Sequence, residues 1–170
     1  MAKLLGIKKI AYLSGPHGNP TEVNRSRVIN KVSGANLGHL LEHDGDYATA
    51  PKLYSPLAVY WAAIFFHMTE WMTIEENLAL LAMQGTKDRI YNDAKPAANL
   101  QTAVDGIAKG QEWGFTVQFS LYTDGQTDLN SACHPIGEPI SAFGSTSADI
   151  ISQITINLNA LFFPITPKLA

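Results

Sequence analysis

The segment from Ser55 to Gly85 concentrates more apolar and aromatic side chains than any other part of the sequence, so any fold of the chain must bury it. Ser55 followed by Pro56 predicts a helix start. Serine caps a first turn well, and proline at the first helical position lacks only an N–H that has no partner there. Leu57, Trp61, Ile64, Phe65, Met68 and Trp71 then recur at spacings of three and four, which places them on one helical face predicted to form core. Thr73 and Glu76 read as a capping box that restarts the helix, Ile74, Leu78 and Leu81 continue its stripe, and Gly85 can take the left-handed conformation that ends it. The centre of the fold is thus expected to be a helical hairpin or kinked helix.

The flanking segments supply strands and further helices. Gly6–Ser14 reads as a short first strand running into the turn-forming Gly15–Pro20. Thr21 caps a predicted helix carrying Val23, Arg27, Val28 and Lys31, and another helix is expected over Asn36–Asp44, stopped by Gly45. Residues 47–51 are expected to be extended or irregular, because the residue before Pro51 is pushed out of the α region. Pro96 is expected to start a third helix carrying Leu100, Ala103, Val104 and Ile107, with Gly110 as its stop. The period then changes to two. Trp113, Phe115, Val117, Phe119 and Leu121 alternate with Thr116, Gln118 and Ser120, the pattern of a half-buried strand. Asp124-Gly125 is a hairpin-type turn, and Asp128–Ala132 begins a return strand. Ile154, Ile156 and Leu158 alternate with polar residues and are read as a strand, although Ile150, Ile154 and Leu161 also fit a helix. The expected fold is α+β: a single domain over 1–170 with the central helical hairpin packed on a mostly antiparallel sheet, an irregular loop or arm over 133–147, and an extended tail over 164–170. Its core is expected to join Trp61, Phe65 and Met68 to Phe115, Val117 and Phe119.

Composition narrows the function classes. A single cysteine, Cys133, excludes an intrachain disulfide, and neither a signal-peptide run near the N-terminus nor a membrane-length apolar run is present. The expectation is a soluble protein made in the cytoplasm with no membrane partner. Charged residues are only 16% of the chain, against about 25% in typical domains, while 46% of residues are hydrophobic. Much surface must then be covered by small polar residues or by other copies of the protein. The charge is also segregated. Up to Lys31, six basic residues (Lys3, Lys8, Lys9, Arg25, Arg27, Lys31) stand against Glu22 alone, a balance of +5, which leaves −8 for the remainder of a chain with net charge −3. Without aromatic interleaving or a nucleic-acid-binding module, this asymmetry suits a basic end meeting an acidic face of the next subunit, or simply a solvated basic face.

Two short constellations could carry chemistry. In Leu37-Gly38-His39-Leu40-Leu41-Glu42-His43, a helix would place His39 and His43 one turn apart as ligands of a shared zinc ion, with Glu42 beside them as base for a bound water. The segment resembles the H-x-x-E-H signature of the inverted zinc metallopeptidases of the pitrilysin and insulysin type. That resemblance implies zinc ligation by His39 and His43, general-base chemistry by Glu42, and a downstream glutamate ligand, for which Glu70, Glu75, Glu76 and Glu112 are available. The same residues also fit the end of an amphipathic helix with Leu40 and Leu41 inward. Tyr12-Leu13-Ser14-Gly15-Pro16, with Glu112-Trp113-Gly114-Phe115 much later, is similar to the nucleoside deoxyribosyltransferase family, and the likeness implies Glu112 as nucleophile. Read from its neighbours alone, Glu112 is the polar residue before a strand.

His67 and Glu70 face the same way on the central helix, and Cys133 and His134 adjoin, but neither pair has a third partner at ligand spacing. No P-loop, G-x-G-x-x-G, G-x-S-x-G or C-x-x-C pattern occurs. The reading that absorbs most of these features is a non-enzymatic structural subunit of a homo-oligomeric assembly, such as a virion, tail or sheath-like particle component, needing no cofactor. Its copies would join head to tail through Lys8, Lys9, Arg25, Arg27 and Lys31, with other subunits of the same particle as further partners and nucleic acid not expected as one. The alternatives are a small zinc-dependent hydrolase and a deoxyribosyltransferase-like enzyme.

Overall fold

The computed structural model describes residues 5–6, 10, 13, 41, 43–44, 53–87, 99–137 and 148–169. In chain order its elements are strands β1 (Leu5–Gly6), β2 (His43–Asp44) and β3 (Leu53–Tyr54), helix α1 (Pro56–Phe66) running into a π-helical turn (His67–Trp71), and helices α2 (Glu76–Lys87) and α3 (Leu100–Ala108). Strands β4 (Trp113–Tyr122), β5 (Thr127–Pro135) and β6 (Ala148–Asn157) follow, then the short helices α4 (Leu158–Phe162) and α5 (Thr166–Leu169). The fold is α+β, and both sheets are antiparallel. The chain divides into two compact units, one formed by 1–80 with 161–170 and the other by 81–160.

In the first unit Tyr54 of β3 lies opposite Leu5 on one side and His43 on the other, giving the order β1-β3-β2. The first strand is shorter than expected, for Ile10 and Leu13 are helical and buried. The helix expected over Asn36–Asp44 does not reach its predicted end, because His43 and Asp44 are extended and paired in β2. The helix expected from Thr21 and the segment 47–51 lie outside the described residues.

Helix α1 starts where the sequence places it. Ser55 is extended (φ −66°, ψ 157°) but makes no side-chain cap bond, so the backbone and Pro56 set the start rather than the hydroxyl. The burial differs from a single stripe: every residue from Ala58 to Phe66 is buried. A helix apolar on all sides belongs in an interior. Beyond it the π turn widens the spiral, so Met68 is buried while Trp71, expected on the core face, is 59% exposed with its ring stacked 6.4 Å from that of His67.

Thr73 has φ 54°, a conformation that a β-branched residue adopts at a cost of about 1–3 kcal/mol. It ends the preceding turn instead of capping the next helix. Met72 N–H donates to the His67 carbonyl and Ile74 N–H to that of Met68. Helix α2 then runs on to Lys87, so Gly85 is a helical residue and not the stop. The tail expected to be extended over 164–170 contains α5 instead: Thr166 Oγ1 donates to the Phe162 carbonyl, the Tyr60 hydroxyl meets Thr166 Oγ1 at 3.2 Å, and the Phe162 ring packs 4.4 Å from that of Tyr60.

The second unit is built on a sheet ordered β5-β4-β6. The β4–β5 hairpin turns at Asp124-Gly125 as the sequence predicts, with Gly125 at φ 83° and Asp124 Oδ1 accepting from Gln126 N–H. Cys133–Pro135, read from the sequence as part of an irregular loop, are strand residues paired with Trp113–Phe115. Helix α3 begins at Asn99, whose side chain accepts from Thr102 N–H, and not at Pro96. It ends at Gly110 (φ 83°), where Gln111 N–H bonds the Gly106 carbonyl and Gly110 N–H that of Ile107.

Trp113, Phe115 and Val117 of β4, Cys133 of β5 and Ile156 of β6 are buried. Strand register puts them on one face. Helix α3 packs on β4 and β5, close enough that a Cβ on Gly106 would fall 2.1 Å from Trp113 Nε1. Ser131 ties the end of α2 to this face: its hydroxyl donates to the Ala82 carbonyl and accepts from Thr86 Oγ1. Trp61, Phe65 and Met68 are buried in the first unit, Phe115 and Val117 in the second, and Phe119 is half-buried.

Candidate assembly edge

Strand β4 was expected to expose one face and does not. Thr116 is 0% exposed and Gln118 1%, because each sits between strands on both sides. Buried polar groups need partners, and this face is wired across the sheet. Thr116 Oγ1 lies 2.7 Å from His134 Nε2 of β5 and 2.7 Å from Thr155 Oγ1 of β6. His134 Nδ1 is 3.0 Å from the Pro135 carbonyl oxygen, which can only accept, so Nδ1 carries the proton and Nε2 accepts from Thr116. The Thr116 oxygen is then free to accept from Thr155. Gln118 Nε2 similarly donates to Gln153 Oε1 at 3.0 Å.

A hydroxyl beside an imidazole is the pairing that nucleophilic catalysis uses. Here the Thr116 oxygen is sealed from solvent and fully engaged, so the network joins three strands and offers no reacting group to a substrate.

The two edges of this sheet contrast with its centre and with each other. On β5, Ser131, Ala132 and Cys133 are consecutive and all buried, so both faces of the strand are covered there. On β6, Asp149, Ile150, Ile151, Ser152, Gln153, Thr155 and Asn157 are exposed, and β4 is the strand's hydrogen-bonded neighbour. Among the described residues no backbone hydrogen bond reaches the outer side of β6. Beyond it, Asn157 Oδ1 caps α4 by accepting from Ala160 N–H, and Asn159 clamps the approach to β4, accepting from Trp113 N–H and donating to the Gln111 carbonyl.

The residues singled out in the sequence are distributed as follows. Lys8, Lys9, Arg25, Arg27, Lys31, His39 and Glu42 lie outside the described residues, and His43 is in β2. Among the described residues no group of three or more His, Cys, Asp or Glu side chains is placed to hold a metal ion. Glu112 is exposed just before β4, and its carbonyl accepts from Ile136 N–H. The Cys133 thiol is fully buried and its pKa is pushed far up by that burial, which makes it a small hydrophobe. His67 is half-buried, and burial lowers its pKa. No helix among the described residues is long and apolar enough to cross a membrane.

The open edge of β6 was the feature that residue-by-residue reading passed over. Its signal was available: Ala148–Asn157 contains four isoleucines and a threonine, a single charge and no lysine or proline, whereas exposed edges are usually guarded by just those residues. Comparison with known protein families, with curated proteins and with solved structures found no match.

Proposed function

We propose that the chain is a non-enzymatic structural subunit that assembles with copies of itself, as a component of a virion, tail or sheath-like particle would. The observation that carries the reading is the ten-residue β6, which among the described residues has a backbone partner on one side only and exposes β-branched side chains at a sheet edge. A strand of this kind is satisfied by another chain. The low charge density and the segregation of basic residues before Lys31 support the same reading, with Lys8, Lys9, Arg25, Arg27 and Lys31 providing a head-to-tail contact to an acidic surface of the next copy. The subunit is made in the cytoplasm and then joins its particle.

Solution mass by sedimentation, measured over a range of protein and salt concentrations with zinc determined on the same sample, tests this. The expected result is a mass that rises with concentration above the 18.5 kDa monomer, early association that slows as salt screens the basic segment, and well under one zinc per chain. A monomer at high concentration and low salt overturns the proposal. Stoichiometric zinc that is lost in His39→Ala does so too, in favour of the zinc hydrolase.

A further inference from the structure

Natural sheets blunt their exposed edges with lysine, proline, a bulge or a covering segment. The β5 edge has two of these. Pro135 lacks an N–H, and Ser131–Cys133 are covered on both faces. The β6 edge has one. The register of β4 against β6 shifts between Phe119 and Ser120, so that Ser152 opposes Phe119, Ile150 opposes Ser120, and Ile151 is left as a bulge. The bulge disrupts the N-terminal part of the strand, where the single charge, Asp149, also sits. It leaves Ser152–Asn157 regular and uncharged, with Ser152, Gln153, Thr155 and Asn157 exposed, Ile154 half-buried and Ile156 buried.

We infer that Ser152–Ile156 of β6 pairs antiparallel with the same segment of a second copy across a two-fold axis, with Ile154 facing its own counterpart, to form one continuous six-stranded sheet. This rests on the self-assembly reading and specifies one contact within it. Antiparallel strands related by a two-fold axis place one residue opposite itself, and three registers are then available to the regular stretch. Centring on Gln153 would force the bulged Ile151 into the ladder opposite Thr155. Centring on Thr155 would set Ser152 against Leu158, which is already helical in α4. Centring on Ile154 pairs Ser152 with Ile156 and Gln153 with Thr155, and uses regular strand residues alone.

The two faces of the strand stay matched across the axis. Directly opposed residues share a face. Ile154 and Ile156 lie opposite Val117 and Phe115, on the apolar face, whereas Gln153 and Thr155 lie with Gln118 and Thr116 on the hydrogen-bonded face. Gln153 therefore meets Thr155 on the polar face, Ser152 meets Ile156 on the other, and Ile154, half-buried within one copy, becomes covered by its twin. Asp149 falls beyond the paired stretch, so no like charges oppose each other.

Single-cysteine crosslinking tests the register. Opposed residues in an antiparallel pair have Cα atoms about 4.5 or 5.5 Å apart, within the roughly 4.4–6.8 Å that a disulfide spans. The native Cys133 is sealed in the core and does not compete. Under mild oxidation Ile154→Cys should convert most of the protein to covalent dimer, whereas Gln153→Cys and Thr155→Cys each give little alone and crosslink when mixed. The mixed pair uses exposed positions and keeps the test valid should the Ile154 variant fold poorly. Crosslinking that peaks elsewhere on residues 151–157 overturns the register. No crosslinking in a protein whose wild-type mass still rises with concentration overturns the β6 contact while leaving self-assembly standing. A wild-type protein that stays monomeric overturns both.

Discussion

Strands β4 and β6 are both ten residues long and lie side by side in one sheet, yet β4 is sealed on both faces over Trp113–Gln118 and β6 is open along most of its length. The difference is position. A strand flanked on both sides has its backbone satisfied and its side chains covered by cross-strand neighbours, so even Thr116 and Gln118 leave solvent and must be hydrogen-bonded. Strand order separates the two, for β4 has a hydrogen-bonded strand on each side and β6, among the described residues, on one side only.

The largest expected effect separates the strands by stability. Phe115→Ala in β4, where the ring is 0% exposed, should cost about 3–5 kcal/mol in denaturant unfolding of the monomer. Ile151→Ala in β6, where the side chain is 58% exposed, should stay within about 0.5 kcal/mol. Equal costs would mean that β6 is covered in the monomer. Next comes the buried polar face. Thr116→Val keeps the shape but removes the hydroxyl between His134 and Thr155, leaving the half-buried imidazole nitrogen without its donor, and should cost about 1–3 kcal/mol. A neutral outcome would make the network decorative.

At the edge the effect should appear in association and not in folding. Ser152→Lys puts on the open edge the charge that guarded edges carry, at an exposed position outside the hydrogen-bonded network, and should weaken self-association about tenfold, or about 1.4 kcal/mol, with little change in monomer stability. The smallest effect lies outside the sheet and serves as its control. Burial lowers the pKa of His67 below its ordinary value of 6.5, so the folded chain binds a proton less readily than the unfolded one. Its contribution is whole above about pH 6.5, falls as pH drops below that value, and levels once the folded chain also protonates. His67→Gln should therefore flatten part of the fall in Tm between pH 7 and pH 5 without altering association.

Local signals were legible where a residue dictates its own backbone. Ser55-Pro56 placed the start of α1, Gly110 the stop of α3, and Asp124-Gly125 the β4–β5 turn. Period two identified β4. What the sequence hid was set by neighbours. Nothing in the spacing of Met68 and Trp71 announces a π turn between them, and the turn swings Trp71 into solvent. Thr73 looks like a cap in sequence but is held left-handed by the hydrogen bonds that close the preceding helix. Alternation marks 154–158 as a strand without saying whether it lies at the centre or the edge, and Leu158 in fact belongs to the following helix. For the candidate contact, the charge-free β-branched run was in plain view, but its meaning depends on strand order, which periodicity does not encode.

Amide hydrogen exchange in the peptide covering residues 149–157, measured at dilute and at assembling protein concentrations, tests most directly whether the open edge is closed by copies of the chain. The outward-facing amides of Ser152–Ile156 should exchange rapidly in dilute protein and become protected as concentration rises, while those of β4 stay protected throughout. Exchange in β6 that does not change with concentration, in a sample whose mass does, would contradict the account.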